Sequence, residues 1–74
     1  MIALTAPQRE ALTRIASAED GALPLFRLSR SHRMVDCYRL ARSLEAKGAI
    51  KISRGSAEYA RVTPAGRAAL SNAA

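Results

Sequence analysis

Arg39 and Arg42 are the side chains of this chain best suited to specific chemistry. A guanidinium presents five N–H donors in a planar fork, matched to the edge of guanine or to phosphate oxygens. A bidentate pairing with guanine is worth about 1–3 kcal/mol of base discrimination. The two arginines sit in a stretch from Leu28 to Gly48 that reads as one amphipathic helix with a basic outer face. At 3.6 residues per turn, Met34, Cys37, Leu40, Ala41 and Leu44 fall on one side. His32, Val35, Asp36, Arg39, Arg42 and Ser43 fall on the other, with Tyr38 on the border. The same arginines would serve as solubilising charges if nothing approached that face.

Ser31, His32 and Arg33 stand at the start of this helix. That end offers unpaired N–H groups and the positive end of the dipole, which suit phosphate or a base edge. Asp36 is the odd acid on a basic face. It can accept from a cytosine amino group, orient Arg33 or Arg39, or form a plain surface ion pair with either. Tyr38 suits a phosphate contact and core-rim packing equally. Arg27 and Arg30 flank the preceding turn and suit backbone phosphates, which position a protein without carrying sequence information. Lys51, Arg54 and Arg61 lie on or near a hairpin behind the helix, with Arg54 at its tip. A tip arginine suits a minor groove or a phosphate.

Enzyme chemistry finds no footing. There is no nucleophile–base–orienter set, no paired-carboxylate arrangement and no phosphate-binding glycine loop. One histidine and one cysteine are too few for a metal site, so no metal or cofactor is expected. Cys37 lies in the apolar stripe, where a buried structural thiol is the plain reading. The four glycines are accounted for by turns and caps.

The 74 residues make one domain, spanning 1–74, with a small core. Twelve Lys and Arg against six Asp and Glu give a net charge of +6. The charge is interleaved with apolar residues, so it marks a folded basic surface rather than a tail. Such a surface favours a polyanion, nucleic acid before an anionic membrane. A membrane role is poor, because the apolar faces are all needed for the core. No apolar run reaches the roughly 20 residues of a membrane span, and Met1 to Thr5 do not resemble a signal peptide. A cytoplasmic, nucleoid-associated protein is the expectation. The alanine- and arginine-rich composition fits a bacterial or phage genome.

The elements that must position these residues follow from local signals. A first helix is predicted over about 5–17, with Thr5 as N-cap and Gln8 completing a capping box. Ala11, Leu12, Ile15 and Ala16 form its apolar stripe. Glu19-Asp20-Gly21 is a polar turn. Pro24 opens a short second helix, about 24–29, with Leu25, Phe26 and Leu28 as core candidates. The basic helix runs over about 31–47, capped by Ser31 or Ser29 and ended by Gly48. A two-stranded wing, about 49–62, alternates Ile50 and Ile52 with Lys51 and Ser53, and Ala60 and Val62 with Tyr59 and Arg61. Thr63-Pro64 starts a last helix, about 64–71.

Leu44-Glu-Ala-Lys-Gly-Ala-Ile50 and Val62-Thr-Pro-Ala-Gly-Arg67, in that order, resemble two motifs of the multiple-antibiotic-resistance regulator (MarR) family. The first matches the end of the family's recognition helix, the second the segment after its wing. With the flanking pattern the resemblance covers about 23–70. It implies an α+β winged helix-turn-helix: three helices, a two-stranded wing and a short C-terminal helix. The family's long terminal dimerisation helices have no counterpart here, and its wing tip is reduced to Arg54-Gly55. The expectation is therefore a minimal module, as in small phage or mobile-element regulators.

Together these readings predict a sequence-specific double-stranded DNA-binding protein, a small transcriptional regulator. Its basic helix would enter the major groove while the wing meets backbone or minor groove. Two alternatives stand beside it. One is an excisionase-like or architectural factor that bends DNA. The other is a winged-helix module that grips a protein partner, such as an inhibitor of a nucleic-acid machine. A homodimer on DNA is left open, with Met1 to Leu4 and the region of Leu70 as the segments available to form it.

Overall fold

The computed structural model describes residues 2–29, 33–53 and 58–71. Helix α1 spans Ala6–Ser17, α2 spans Met34–Ala46 and α3 spans Pro64–Ser71. Strands β1 (Ala22–Pro24), β2 (Ile50–Ser53) and β3 (Tyr59–Val62) form one antiparallel sheet in the order β1-β3-β2. The architecture is a winged helix, with the β2–β3 hairpin as its wing.

Local chemistry sets most boundaries. The Gln8 N–H donates to Thr5 Oγ1 at 3.3 Å, and the Thr5 N–H donates to Gln8 Oε1 at 3.0 Å, which completes the capping box on α1. Helix α2 ends in a Schellman arrangement: the Gly48 N–H donates to the Glu45 carbonyl and the Ala49 N–H to the Leu44 carbonyl. Gly48 has φ +77°, a conformation that costs a side-chain-bearing residue about 1–2 kcal/mol. Thr63 Oγ1 accepts from the Gly66 N–H at 3.0 Å and donates to the Gly48 carbonyl at 2.6 Å. One hydroxyl thus starts α3 and ties it to the end of α2.

Three expectations need correction. The short second helix, predicted over about 24–29, is a single 3-10 turn over Leu25–Arg27. Pro24 is the N-cap of that turn, with φ −58° and ψ 142°, and it also closes β1, an edge strand where a missing N–H costs no ladder bond. The basic helix begins at Met34, not near Ser31. Arg33 is its N-cap, with no side-chain capping bond, in place of Ser29; Ser31 lies outside the described residues. The sheet has a third strand, β1, pairing Ala22, Leu23 and Pro24 with Arg61, Ala60 and Tyr59.

The core gathers Leu12, Ile15, Leu25, Leu28, Cys37, Ala41, Leu44, Ala49, Ile50 and Ala60. Helix α1 contributes one face, α2 a second, and the inward positions of the sheet a third. Phe26 and Met34, expected in the core, are 54% and 47% exposed. The 3-10 turn inserts Leu25 and Leu28 and leaves Phe26 outside. Ile2, Leu4 and Leu70, the residues left over for self-association, are partly buried against this same core.

Gly66 is neither a turn nor a cap. It lies inside α3, where an added Cβ would stand 2.2 Å from the Ala49 carbonyl oxygen. The glycine of the second motif therefore lets α3 approach the backbone between α2 and β2 directly.

Candidate nucleic-acid interface

Helix α2 carries the proposed site and is held rigidly from three sides. Cys37, Ala41 and Leu44 are fully buried and anchor its inner face. Glu45 Oε2 accepts from the Ile52 N–H at 3.3 Å, linking α2 to the wing. On the other flank Gln8, 8% exposed, joins α1 to α2. Its Nε2 donates to Ser43 Oγ at 3.1 Å, and its Oε1 accepts from Lys47 Nζ at 2.6 Å. Lys47 Nζ also donates to the Ala3 carbonyl at 2.6 Å. A buried amide with its donors and acceptors used this way fixes one mutual placement of the two helices.

A narrow stripe on the outward side of α2 carries the basic charge. Val35, Arg39 and Arg42 are exposed, at positions i, i+4 and i+7 of one helical stripe. Arg33 is exposed at the head of the same helix. Asp36 is half-buried, and with Arg39 and Ser43 it lines a cleft that includes Thr5, Pro7 and Gln8 of the α1 head. Ser43 turns inward. Its hydroxyl donates to the Leu40 carbonyl and accepts from Gln8, so the structure spends it on helix docking.

Tyr38 is exposed and sits beside the wing. Its hydroxyl donates to the Glu58 carboxylate, a bond joining α2 to the start of β3. That bond, followed by local desolvation and the carboxylate's charge, raises the phenol above its ordinary value near 10.

The remaining candidates are dispersed. Lys51 and Arg61 are cross-strand partners on the outward face of the sheet. The Arg61 guanidinium donates to the Asp20 carbonyl at 3.0 Å, in a cleft shared with Glu19 and Asp20. Arg27 lines a cleft with Arg14, Ser17 and Ala18 at the C-terminal end of α1, rather than the head of α2. Arg30, Ser31, His32 and Arg54 lie outside the described residues. Among the described residues no group of three or more His, Cys, Asp or Glu side chains is placed to hold a metal ion. None of the described helices is long and apolar enough to cross a membrane.

Sequence reasoning missed the surface role of Phe26, Met34 and Glu58, which meet in a groove between α2 and the wing. The alternation of β3 did place Tyr59, which also lines it, on the outward face.

No protein-family model matches the sequence, and no curated protein does. Solved structures do match in shape. A MarR family transcriptional regulator from Streptomyces coelicolor superposes with a TM-score of 0.83 at 20% identity, over 93% of this chain and 51% of that one. Bordetella bronchiseptica BpsR, whose DNA binding is regulated by 6-hydroxynicotinic acid, superposes with a TM-score of 0.78 at 22% identity, over the same shares. The chain thus spans about half the length of each of these two proteins. Its fold is a winged helix similar to that of the MarR family regulators.

Proposed function

We propose that this winged helix binds double-stranded DNA in a sequence-specific manner, as the DNA-reading module of a transcriptional regulator, with α2 in the major groove. The observation that carries this reading is the stripe on α2. Val35, Arg39 and Arg42 line its exposed face while Cys37, Ala41 and Leu44 bury the opposite one. The helix is therefore docked by its inner face and free to present two guanidiniums and an apolar side chain outward. Arg39 and Arg42 pair with base edges, and Val35 packs against them. Arg33, with Arg30, Ser31 and His32, adds phosphate contacts at the helix head. The wing, through Lys51 and Arg54, takes backbone or minor groove. Tyr38 contributes from the wing-facing side, Asp36 orients a neighbouring arginine, and Arg27 and Arg61 supply long-range positive potential.

The test is selection of bound sequences from a random duplex library at near-physiological salt, with wild type and the Arg39→Ala/Arg42→Ala double variant. Wild type should enrich one motif. A palindromic motif would indicate two copies on DNA. Each arginine should be worth about 5- to 150-fold in affinity for that motif, from the about 1–3 kcal/mol of a bidentate pair. Both side chains are exposed, so the variant should melt as wild type does. Binding should also fall with salt, by a log–log slope of about −0.9 per neutralised phosphate. Enrichment unchanged in the double variant would refute the placement of α2. Absence of any motif would favour the architectural or protein-binding alternative.

A further inference from the structure

Between the first turns of α2, the 3-10 turn and the start of β3 lies a groove of about 260 Å³. Its walls include Phe26, Met34, Tyr38 and Tyr59, four of the five large hydrophobic side chains exposed among the described residues. The fifth, Val35, adjoins Met34 in the chain. Exposed apolar residues scattered singly are ordinary, whereas a cluster of this kind marks a contact site. Among the described residues the one charged group in the lining is the Glu58 carboxylate. It stands out in a chain of net charge +6.

We propose that this groove binds a small organic cation, an alkyl- or arylalkyl-ammonium. Three aromatic rings, a methionine and one carboxylate make a lining that stabilises a weakly hydrated cation. The rings attract it through their quadrupoles, and the carboxylate supplies charge complementarity. Met34 adds polarisable, adaptable apolar contact. The same carboxylate disfavours an anionic ligand inside the groove. Its volume falls just below the usual range of drug-sized pockets, which selects a compact ligand. The walls are also preformed. Pro24 pairs with Tyr59 across β1 and β3, and the Leu25 N–H donates to the Glu58 carbonyl at 3.3 Å. The Tyr38 hydroxyl holds the Glu58 carboxylate at the groove, and that carboxylate keeps acceptor capacity for a cation.

The protein reports on this groove without a label, because it has two tyrosines and no tryptophan, and both tyrosines line the groove. Benzyltrimethylammonium, choline and 3,3-dimethylbutanol, choline's uncharged isostere, are titrated into the free protein while tyrosine emission is followed. Saturable responses are expected for the two ammonium compounds, with choline binding about tenfold tighter than the isostere. Glu58→Gln should weaken both ammonium compounds by about tenfold and leave the isostere unchanged. Glu58 is exposed, so that variant keeps its fold, and a matching thermal melt confirms it. Tyr38→Phe keeps the ring and the carboxylate but loses the hydroxyl that holds Glu58 at the groove, so it should weaken the ammonium compounds less than Glu58→Gln does. No saturable response, equal affinity for choline and its isostere, or indifference to Glu58→Gln would each overturn the proposal. The titration needs no DNA, so its failure leaves the proposed DNA reading intact.

Discussion

Replacing Gly66 with alanine adds one methyl group at the point where α3 touches the backbone of Ala49, just before β2. On an open helix surface this change stabilises, because glycine is about 1 kcal/mol less favourable than alanine in a helix interior. Here the new Cβ would stand 2.2 Å from the Ala49 carbonyl oxygen, 3.1 Å from the Ala49 carbonyl carbon and 3.2 Å from a Val62 methyl. The first contact is impossible without movement of roughly 1 Å, judged against ordinary van der Waals separation. Ala49 cannot easily yield. Its N–H is held by the Leu44 carbonyl at 3.0 Å, and its carbonyl accepts from the Thr63 N–H at 3.0 Å. Overpacking of this kind costs about 1–3 kcal/mol, and more where backbone must shift. The rigidity of Ala49 places Gly66→Ala at the upper end, about 3 kcal/mol or more before the helix-propensity gain. The net loss is then about 2 kcal/mol, which lowers the midpoint of a domain this size by roughly 8–16 °C. A thermal melt by circular dichroism measures it, with Ala65→Gly as the control on the neighbouring exposed position. An unchanged or raised midpoint for Gly66→Ala would refute the close-approach reading.

Gln8→Ala removes half of the capping box and leaves Ser43 and Lys47 without their shared partner; it should cost about 1–3 kcal/mol in a denaturant melt, against little change for exposed Glu10→Ala. Asp20 holds φ 65°, a left-handed conformation, so Asp20→Gly should raise the melting midpoint by a few degrees, about 1 kcal/mol, and a fall would show that the Asp20 side chain matters to the fold. The difference between alkaline absorbance titrations of wild type and Tyr38→Phe isolates Tyr38, whose midpoint should lie above 10 and return towards it in Glu58→Gln. A folded-state value raised above the unfolded one means that the Tyr38–Glu58 contribution is present at neutral pH. It is lost as pH climbs through the raised value, so the wild-type advantage over Tyr38→Phe should vanish only at strongly alkaline pH.

Features written in a few consecutive residues were legible from the sequence by itself. The Thr5–Gln8 capping box, the Gly48 stop, the Thr63-Pro64 start and the inward alternation of Ile50, Ile52, Ala60 and Val62 all express short-range sterics and hydrogen bonding. Periodicity also separated Val35, Arg39 and Arg42 from the Cys37, Ala41 and Leu44 face, because a continuous helix converts spacing directly into direction. The tertiary structure decided what depends on partners remote in the chain. Residues 22–24 are too short to announce a strand and become one only because β3, nearly forty residues on, offers an unpaired edge. Phe26 and Met34 are apolar and correctly spaced for a core, yet Leu25, Leu28 and Cys37 are the neighbours that go inward and Phe26 and Met34 stay exposed. Ser43 sits on the polar side of its helix, yet Gln8 reaches it from α1 and draws it into the helix–helix contact. Gly66 looks like punctuation in the chain, and only the position of the Ala49 carbonyl shows that no side chain fits there. Local chemistry determined most helix and wing ends, while contacts between elements remote in the chain decided β1 and which side chains were left at the surface to meet a partner.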